Sequence, residues 1–227
     1  MQAAVVLMRG ASVAGKTKTK LNSHLKAEEC AALDKAFLKD MNFKLLNLKK
    51  SCSKLELFLS YKPEQSPKIF AEVIAKDFIR IPQRGESCGE IMYNAVTEAY
   101  QKSKLPVVIV GSNFPLLATD TFTEAFAGLK ERDIVIGPSV DGSYYLLGMK
   151  KPEESLFYFK DWRKQSILEK TIKAASQHNL KIHFLPEAAE INTFKELLRL
   201  RFELIGKNID SNYLKNTRKI IDELFIY

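Results

Sequence analysis

Leu105-Pro106-Val107-Val108-Ile109-Val110-Gly111-Ser112-Asn113 begins with six apolar residues and ends on Gly-Ser-Asn. A strand with one face in water alternates polar and apolar side chains, so the unbroken run from Leu105 to Val110 is predicted as a central, parallel strand covered on both faces. Working outward, Glu86 to Gln101 upstream has helical periodicity, and downstream Thr119 is placed to cap a helix reaching about Glu131. Ala3 to Met8 is a second buried run, followed after a loop by a helix over about Lys26 to Leu48 with Cys30, Leu33, Phe37, Met41 and Leu45 on its apolar face. Lys54 to Tyr61 and Phe78 to Ile81 read as strands. Between them, Pro67 sits where a helix would start, with Ile69, Phe70, Val73 and Ile74 on its buried side. Asp133 to Ile136 and Ser143 to Met149 are further strands. A helix from about Lys164 to Gln177, a strand from Lys181 to Leu185 and a helix from about Thr193 to Ile205 follow.

Strands and helices in this alternation predict an α/β protein: a mostly parallel, Rossmann-like sheet with helices on both faces. Residues 1–205 are read as one domain and 206–227 as a C-terminal helical extension, whose stripe of Tyr213, Leu214, Ile220, Ile221 and Leu224 must pack on the domain's own flank or on a second copy. Ligands of such sheets bind beyond the carboxyl ends of the strands, which directs attention to the loops after Met8, Ile81, Val110, Ile136 and Leu185.

Composition bounds the function. With 227 residues, 46% hydrophobic and 27% charged, the chain is neither disordered nor a disulfide scaffold. No apolar stretch reaches the ~18 residues of a membrane span. Ala3 to Met8 has no Lys or Arg before it and Arg9 directly after it, the reverse of an export signal. Cys30, Cys52 and Cys88 form no Cys-x-x-Cys pair, which argues against disulfides or a zinc knuckle and for a cytoplasmic home. The net charge of +8 attracts anions of many kinds. Charge alone does not choose among them, but the basic residues do not interleave with aromatics as in nucleic-acid modules, which argues against a nucleic-acid partner. His24, His178 and His183 lack partner spacing and are read as structural.

The loop after the first strand, Gly10-Ala11-Ser12-Val13-Ala14-Gly15-Lys16-Thr17, meets the P-loop spacing. A P-loop enzyme also needs a strand ending in a magnesium-binding Asp, and the best strand here ends on Asn113. The same loop can be read instead as a basic cluster of Arg9, Lys16, Lys18 and Lys20, in which the alternating lysines share one side of an extended segment and neutralise a diphosphate.

Several blocks in one order over residues 3–200 resemble the radical-SAM/selenodomain-associated transferases of the arsenosugar-biosynthesis glycosyltransferase type. These belong to the nucleotide-diphospho-sugar transferase superfamily with the GT-A fold. Gly15-Lys16-Thr17-Lys18-Thr19-Lys20-Leu21 is similar to that family's Gly-Lys-Thr-Lys-Thr-Arg-Leu. Gln83-Arg84-Gly85-Glu86-Ser87-Cys88-Gly89-Glu90-Ile91-Met92 is similar to its Gln-x-Gly-x-x-Leu-Gly-x-Arg-Met. Val110 to Leu117 matches Gly-Ser-Asp-x-Pro-x-Leu, and Trp162 with Ile167-Leu168-Glu169 fits a Trp-Ser-Thr helix start. The most specific block is Gly137-Pro138 through Asp141-Gly142-Ser143-Tyr144-Tyr145-Leu146-Leu147-Gly148. The resemblance implies a nucleotide site on Arg9, Gly15, Lys16, Lys18, Lys20, Gln83, Gly85 and Gly89. It further implies a catalytic or metal-binding Asp141, and an acceptor site at Tyr144 and Tyr145.

The chain departs from that pattern where charge matters. Asn113 stands in place of a metal-binding Asp, Asn192 in Glu190-Ile191-Asn192-Thr193 replaces another carboxylate, and Arg163-Lys164 replaces Ser-Thr. Hard divalent cations want anionic oxygens, so magnesium or manganese binding is expected to be weak and absent without nucleotide. Arg163 or Lys164 would then neutralise the diphosphate beside Asn113, Glu190 and Asn192, and returning both asparagines to Asp should restore manganese binding. The leading expectation is sugar transfer from a nucleotide diphosphate donor to a small acceptor. Nucleotidyl transfer to a phosphorylated small molecule, a catalytically silent nucleotide binder and P-loop phosphoryl transfer stand as alternatives.

Overall fold

The computed structural model describes residues 2–63, 70–159, 162, 166–206 and 213–225. Strands β1 (Gln2–Gly10), β2 (Lys54–Lys62), β3 (Phe78–Pro82), β4 (Val107–Val110), β5 (Ile134–Pro138), β6 (Tyr144–Met149) and β7 (Ile182–Phe184) form one sheet in the order β3-β2-β1-β4-β6-β5-β7. β1 pairs in parallel with both β2 and β4, and β6 runs antiparallel to its neighbours β4 and β5. The expected mixed α/β sheet, mostly parallel, is therefore present.

Side-chain alternation on β1 divides the core. Ala3, Val5 and Leu7 face one layer, containing helices α1 (Ala27–Ser51) and α3 (Thr119–Glu131), with Leu38, Met41, Phe122 and Phe126 packed against them. Ala4 and Val6 face the other layer, with Val96 and Ala99 of α2 (Cys88–Ser103) and Ala174 and Ala175 of α4 (Ile167–Gln177). The five residues named for the apolar face of α1 are all buried. Phe70, Val73 and Ile74 are buried as well, whereas Pro67 and Ile69 lie outside the described residues.

Two corrections concern helix starts. Ala118, not Thr119, is the N-cap of α3, and the Thr119 hydroxyl instead shares a 3.0 Å hydrogen bond with the Tyr213 hydroxyl. The helix read from Glu86 begins at Cys88: Ser87 caps α2 by accepting from Glu90 N, and the Glu90 carboxylate accepts in return from Ser87 N at 3.5 Å and from Glu86 N at 2.8 Å, a reciprocal cap encoded by Ser87-Cys88-Gly89-Glu90.

A third cluster joins the ends of the described chain. Cys30, Leu33 and Phe37 of α1 pack with Leu197, Leu200 and Leu204 of α5 (Phe194–Gly206) and with Leu214 and Ile221 at α6 (Lys215–Leu224). The described part of the C-terminal segment thus packs on the flank of the same chain. Its first turn is held by Asp40 of α1, which is 2% exposed and accepts from Asn216 N, Asn216 Nδ2, Thr217 N and Thr217 Oγ1.

Lys44, one turn further along α1, is also buried. Its ammonium donates to the carbonyls of Pro115 and Leu117 and lies 4.4 Å from the centre of the Tyr213 ring. Burial pushes its pKa down to about 7, against the pull of Asp40. Between pH 7 and the unfolded value of 10.5 the unfolded chain holds a proton that the folded chain has released, so this group makes stability rise with pH across that window. Below it both states are charged and above it both are neutral. Denaturant titrations should therefore give Lys44→Met a flatter stability profile than the wild type over this interval, by up to ~1.4 kcal/mol per pH unit.

Candidate functional site

The carboxyl ends of β1, β2 and β4 open onto two cavities that share Lys62 in their linings. The first, about 230 Å³, is mainly apolar: Met8, Ile91, Met92, Ile109 and Tyr144 line it, with Gln83 at its edge. The second, about 570 Å³, is basic and includes Arg9, Lys16, Lys18 and Lys62, with Asn113 and Asn192 on its far side. Lys62 is the residue that the sequence reading missed. No sequence signal marked it: the pairing of β2 with β1 sets it opposite Gly10, the first residue of the basic loop.

The loop after β1 is not folded as a P-loop. Thr17 uses its hydroxyl inside the loop, accepting from Val13 N at 3.0 Å and donating to Ala11 O. A short 3-10 turn at Thr19–Leu21 follows, and the long helix begins only at Ala27. No helix N-terminus stands at Lys16-Thr17 to receive a phosphate, and this corrects the P-loop alternative.

The four basic residues of that segment separate. Arg9 is ion-paired with the buried Asp34, and Ser12 bridges them by accepting from Arg9 at 3.2 Å and donating to Asp34 at 2.6 Å. Lys16 is exposed and lines the basic cavity, whereas Lys20 is exposed but lies outside both linings. Lys18, in the left-handed region at φ 50°, turns inward. Its ammonium donates to Asn113 Oδ1 at 3.1 Å and to the Ile191 carbonyl at 2.7 Å, and sits 4.7 Å from the centre of the Phe37 ring. Asn113 Nδ2 donates in turn to Glu190 Oε1 at 2.7 Å. Burial, followed by the nearby Arg9 charge, lowers the Lys18 pKa to about 7, while Glu190 pulls it back up. Lys18, Asn113 and Glu190 thus form one connected chain joining the loops after β1, β4 and β7, and the bond from Ile191 N to Asn113 O at 3.0 Å stitches the last two together.

Of the remaining expected residues, Gln83 donates to the carbonyls of Arg9 and Ser60, which holds it at the apolar cavity. Gly15 is at the exposed apex of the first loop at φ 74°. Gly85 forms the turn before α2 at φ 127°, and Gly89 is buried against the Phe157 carbonyl and the Trp162 indole; neither reaches a cavity lining. Asn192 directs its backbone N–H to Glu196 Oε2 at 2.7 Å, as does Thr193, so this stretch is a helix cap as well as a cavity wall. Tyr144 and Tyr145 both touch the apolar cavity; Tyr145 also donates its hydroxyl to Pro186 O. Burial pushes the Tyr144 hydroxyl well above its ordinary range and that of Tyr145 up to about 12, so neither is a base at neutral pH.

Asp141 stands apart from both cavity linings. Its Oδ1 accepts from Ser143 N at 3.1 Å and Ser143 Oγ at 2.6 Å. Partial burial pushes its pKa up, but these hydrogen bonds outweigh it and hold the carboxyl below its ordinary range. Arg163 and Lys164 lie outside the described residues.

The donor set does not suit a divalent cation. Among the described residues no three His, Cys, Asp or Glu side chains converge. Asn113 spends its oxygen on Lys18 and its amide on Glu190, the one orientation that satisfies both partners. Asp34 is committed to Arg9.

The fold is of one class with those of nucleotide-sugar transferase-like structures. A candidate nucleotide-diphospho-sugar transferase from Desulfovibrio desulfuricans G20 superposes with a TM-score of 0.84 at 23% identity, covering 99% of each chain. The 4-diphosphocytidyl-2C-methyl-D-erythritol synthase of Anaerococcus prevotii DSM 20548 follows at 0.57 and 10% identity, over 90% of this chain and 96% of that one. The bifunctional IspDF of Campylobacter jejuni gives 0.54 and 13%, over 86% of this chain and 54% of its own. The chain belongs to the DUF2064 family, described as uncharacterized proteins conserved in bacteria, whose profile matches residues 45–164. Among curated proteins none matches.

Proposed function

We propose that this protein is a nucleotide-dependent transferase of the GT-A type that moves a sugar from a nucleoside diphosphate donor to a small acceptor. The observation that carries the reading is the pairing of an apolar cavity with a basic one across Lys62 at the sheet's carboxyl edge. A base would rest on Met8, Ile109 and Met92 beside Gln83, and its diphosphate would meet Lys16, Lys18 and Lys62. The acceptor would enter beside Tyr144 and Tyr145. The resemblance of the Gly15–Leu21 block to the arsenosugar-type transferases supports the same reading. Nucleotidyl transfer is the second reading, favoured by the likeness in fold to the Anaerococcus synthase.

A thermal-shift panel of nucleotides and sugar nucleotides tests it, and stabilisation by one sugar nucleotide above its parent nucleotide is the expected result. Lys16→Ala and Lys62→Ala should each weaken that ligand by about 1–3 kcal/mol, roughly 5- to 150-fold, as expected for a hydrogen bond to a charged group. Their melting temperatures without ligand should stay close to wild type. A panel with no stabilising nucleotide, or unchanged affinity in both variants, would remove this rim from the site.

A further inference from the structure

We infer that the Lys18 ammonium, seated on Asn113 and the Ile191 carbonyl, replaces the divalent cation of this site, so that the protein binds diphosphate without metal. The inference rests on the proposed placement of a diphosphate in the basic cavity and goes beyond it by assigning the counter-charge to one residue of the chain.

Three observations meet at this atom. First, Asn113 lies in the loop after β4 at the position where the family resemblance implies a metal-binding Asp, and its Oδ1 receives Lys18. Second, the seat is built: two oxygen acceptors, the face of the buried Phe37 ring and, one bond further on, Glu190 surround the ammonium. Third, an ammonium has three N–H donors and protein oxygens take two, which leaves one for an oxygen from the cavity that Lys18 lines. A neutral Asn suits this arrangement where an Asp would not. An Asp at 113 would cancel the ammonium charge, whereas the amide orients it and leaves its positive charge for the ligand.

The geometry also changes what a reversal requires. Returning Asn113 and Asn192 to Asp would not by itself create a metal site, since Lys18 would pair with the new carboxylate. Lys18 has to be removed as well, and Lys18→Met does so while keeping the unbranched stem of the side chain.

Calorimetric titration of the full chain with inorganic pyrophosphate, in EDTA and again with magnesium, tests the assignment. The expected result is affinity that differs by less than about threefold between the two conditions, with Lys18→Met at least about tenfold weaker in EDTA. The Lys18→Met, Asn113→Asp double variant should take up manganese titrated alone, whereas the wild type should not. Wild-type binding that disappears in EDTA, or manganese bound by the unmodified protein, would overturn the inference while leaving the diphosphate site in place. Pyrophosphate and nucleotides bound in neither condition would overturn both. The comparison of wild type in EDTA and magnesium needs no variant, so a misfolded Lys18→Met would not protect the idea.

Discussion

Asp40→Ala is expected to destabilise the protein by about 3–5 kcal/mol, because this buried carboxylate of α1 gathers four hydrogen bonds from the first turn of α6. Four donors converge on its two oxygens at 2.6 to 3.1 Å, two of them the backbone N–H groups of Asn216 and Thr217. The carboxylate also places a negative charge at the positive end of the α6 dipole. Removing it strands donors inside the protein, and the packing of Leu214 and Ile221 on Leu33 and Phe37 has to compensate. For a chain of this length, ~2–4 °C per kcal/mol corresponds to a fall in melting temperature of about 10 °C. Asp40→Asn keeps one acceptor and should lose less. A shift in denaturation midpoint worth under about 1 kcal/mol for the Ala variant would mean that α6 docks by its apolar stripe alone.

Gly89→Ala should be comparably severe, about 3 kcal/mol or more, because overpacking against rigid backbone has no cheap relief. A Cβ on Gly89 would run into the Phe157 carbonyl and come within 2.9 Å of the Trp162 indole. That carbonyl already accepts from Trp162 Nε1 at 3.2 Å, so it cannot turn away without losing the bond. The loss belongs to stability. At temperatures where the variant remains folded, nucleotide affinity should be that of the wild type. Weakened binding in a fully folded Gly89→Ala protein would restore this glycine to the nucleotide site that its block resemblance implied.

Much of the architecture was legible because burial dictates it. The unbroken run at Leu105 to Val110 could only be a covered strand, and the spacing from Cys30 to Leu45 could only be one face of a helix. What periodicity does not carry is pairing direction. Nothing in Tyr144 to Met149 distinguishes an antiparallel β6 inserted between β4 and β5 from another parallel strand. The basic loop was legible as a group of charges, but its division was not. Lys18 alternates with Lys16 and Lys20 while Arg9 stands apart from them, and only the fold brings Asp34 to Arg9 and Asn113 to Lys18. Lys62 escaped notice because it is a lone lysine at a strand end, meaningful only once β2 is known to lie beside β1.

The turn at Asp141-Gly142 closes the β5–β6 hairpin and is fastened from two other directions. Gly142 O accepts from Ser166 Oγ at 2.7 Å and from Leu168 N at the start of α4, while Val140 N reaches Ala188 O beyond β7. Gly142 itself sits at φ 82°, where a side chain would be strained. One inserted residue would break three junctions at once, so the length and lettering of this stretch answer to joinery. Similarity over Gly137–Gly148 is accordingly a strong witness to common ancestry of shape and a mute one about chemistry. Two proteins could share every letter of it and still make and break different bonds.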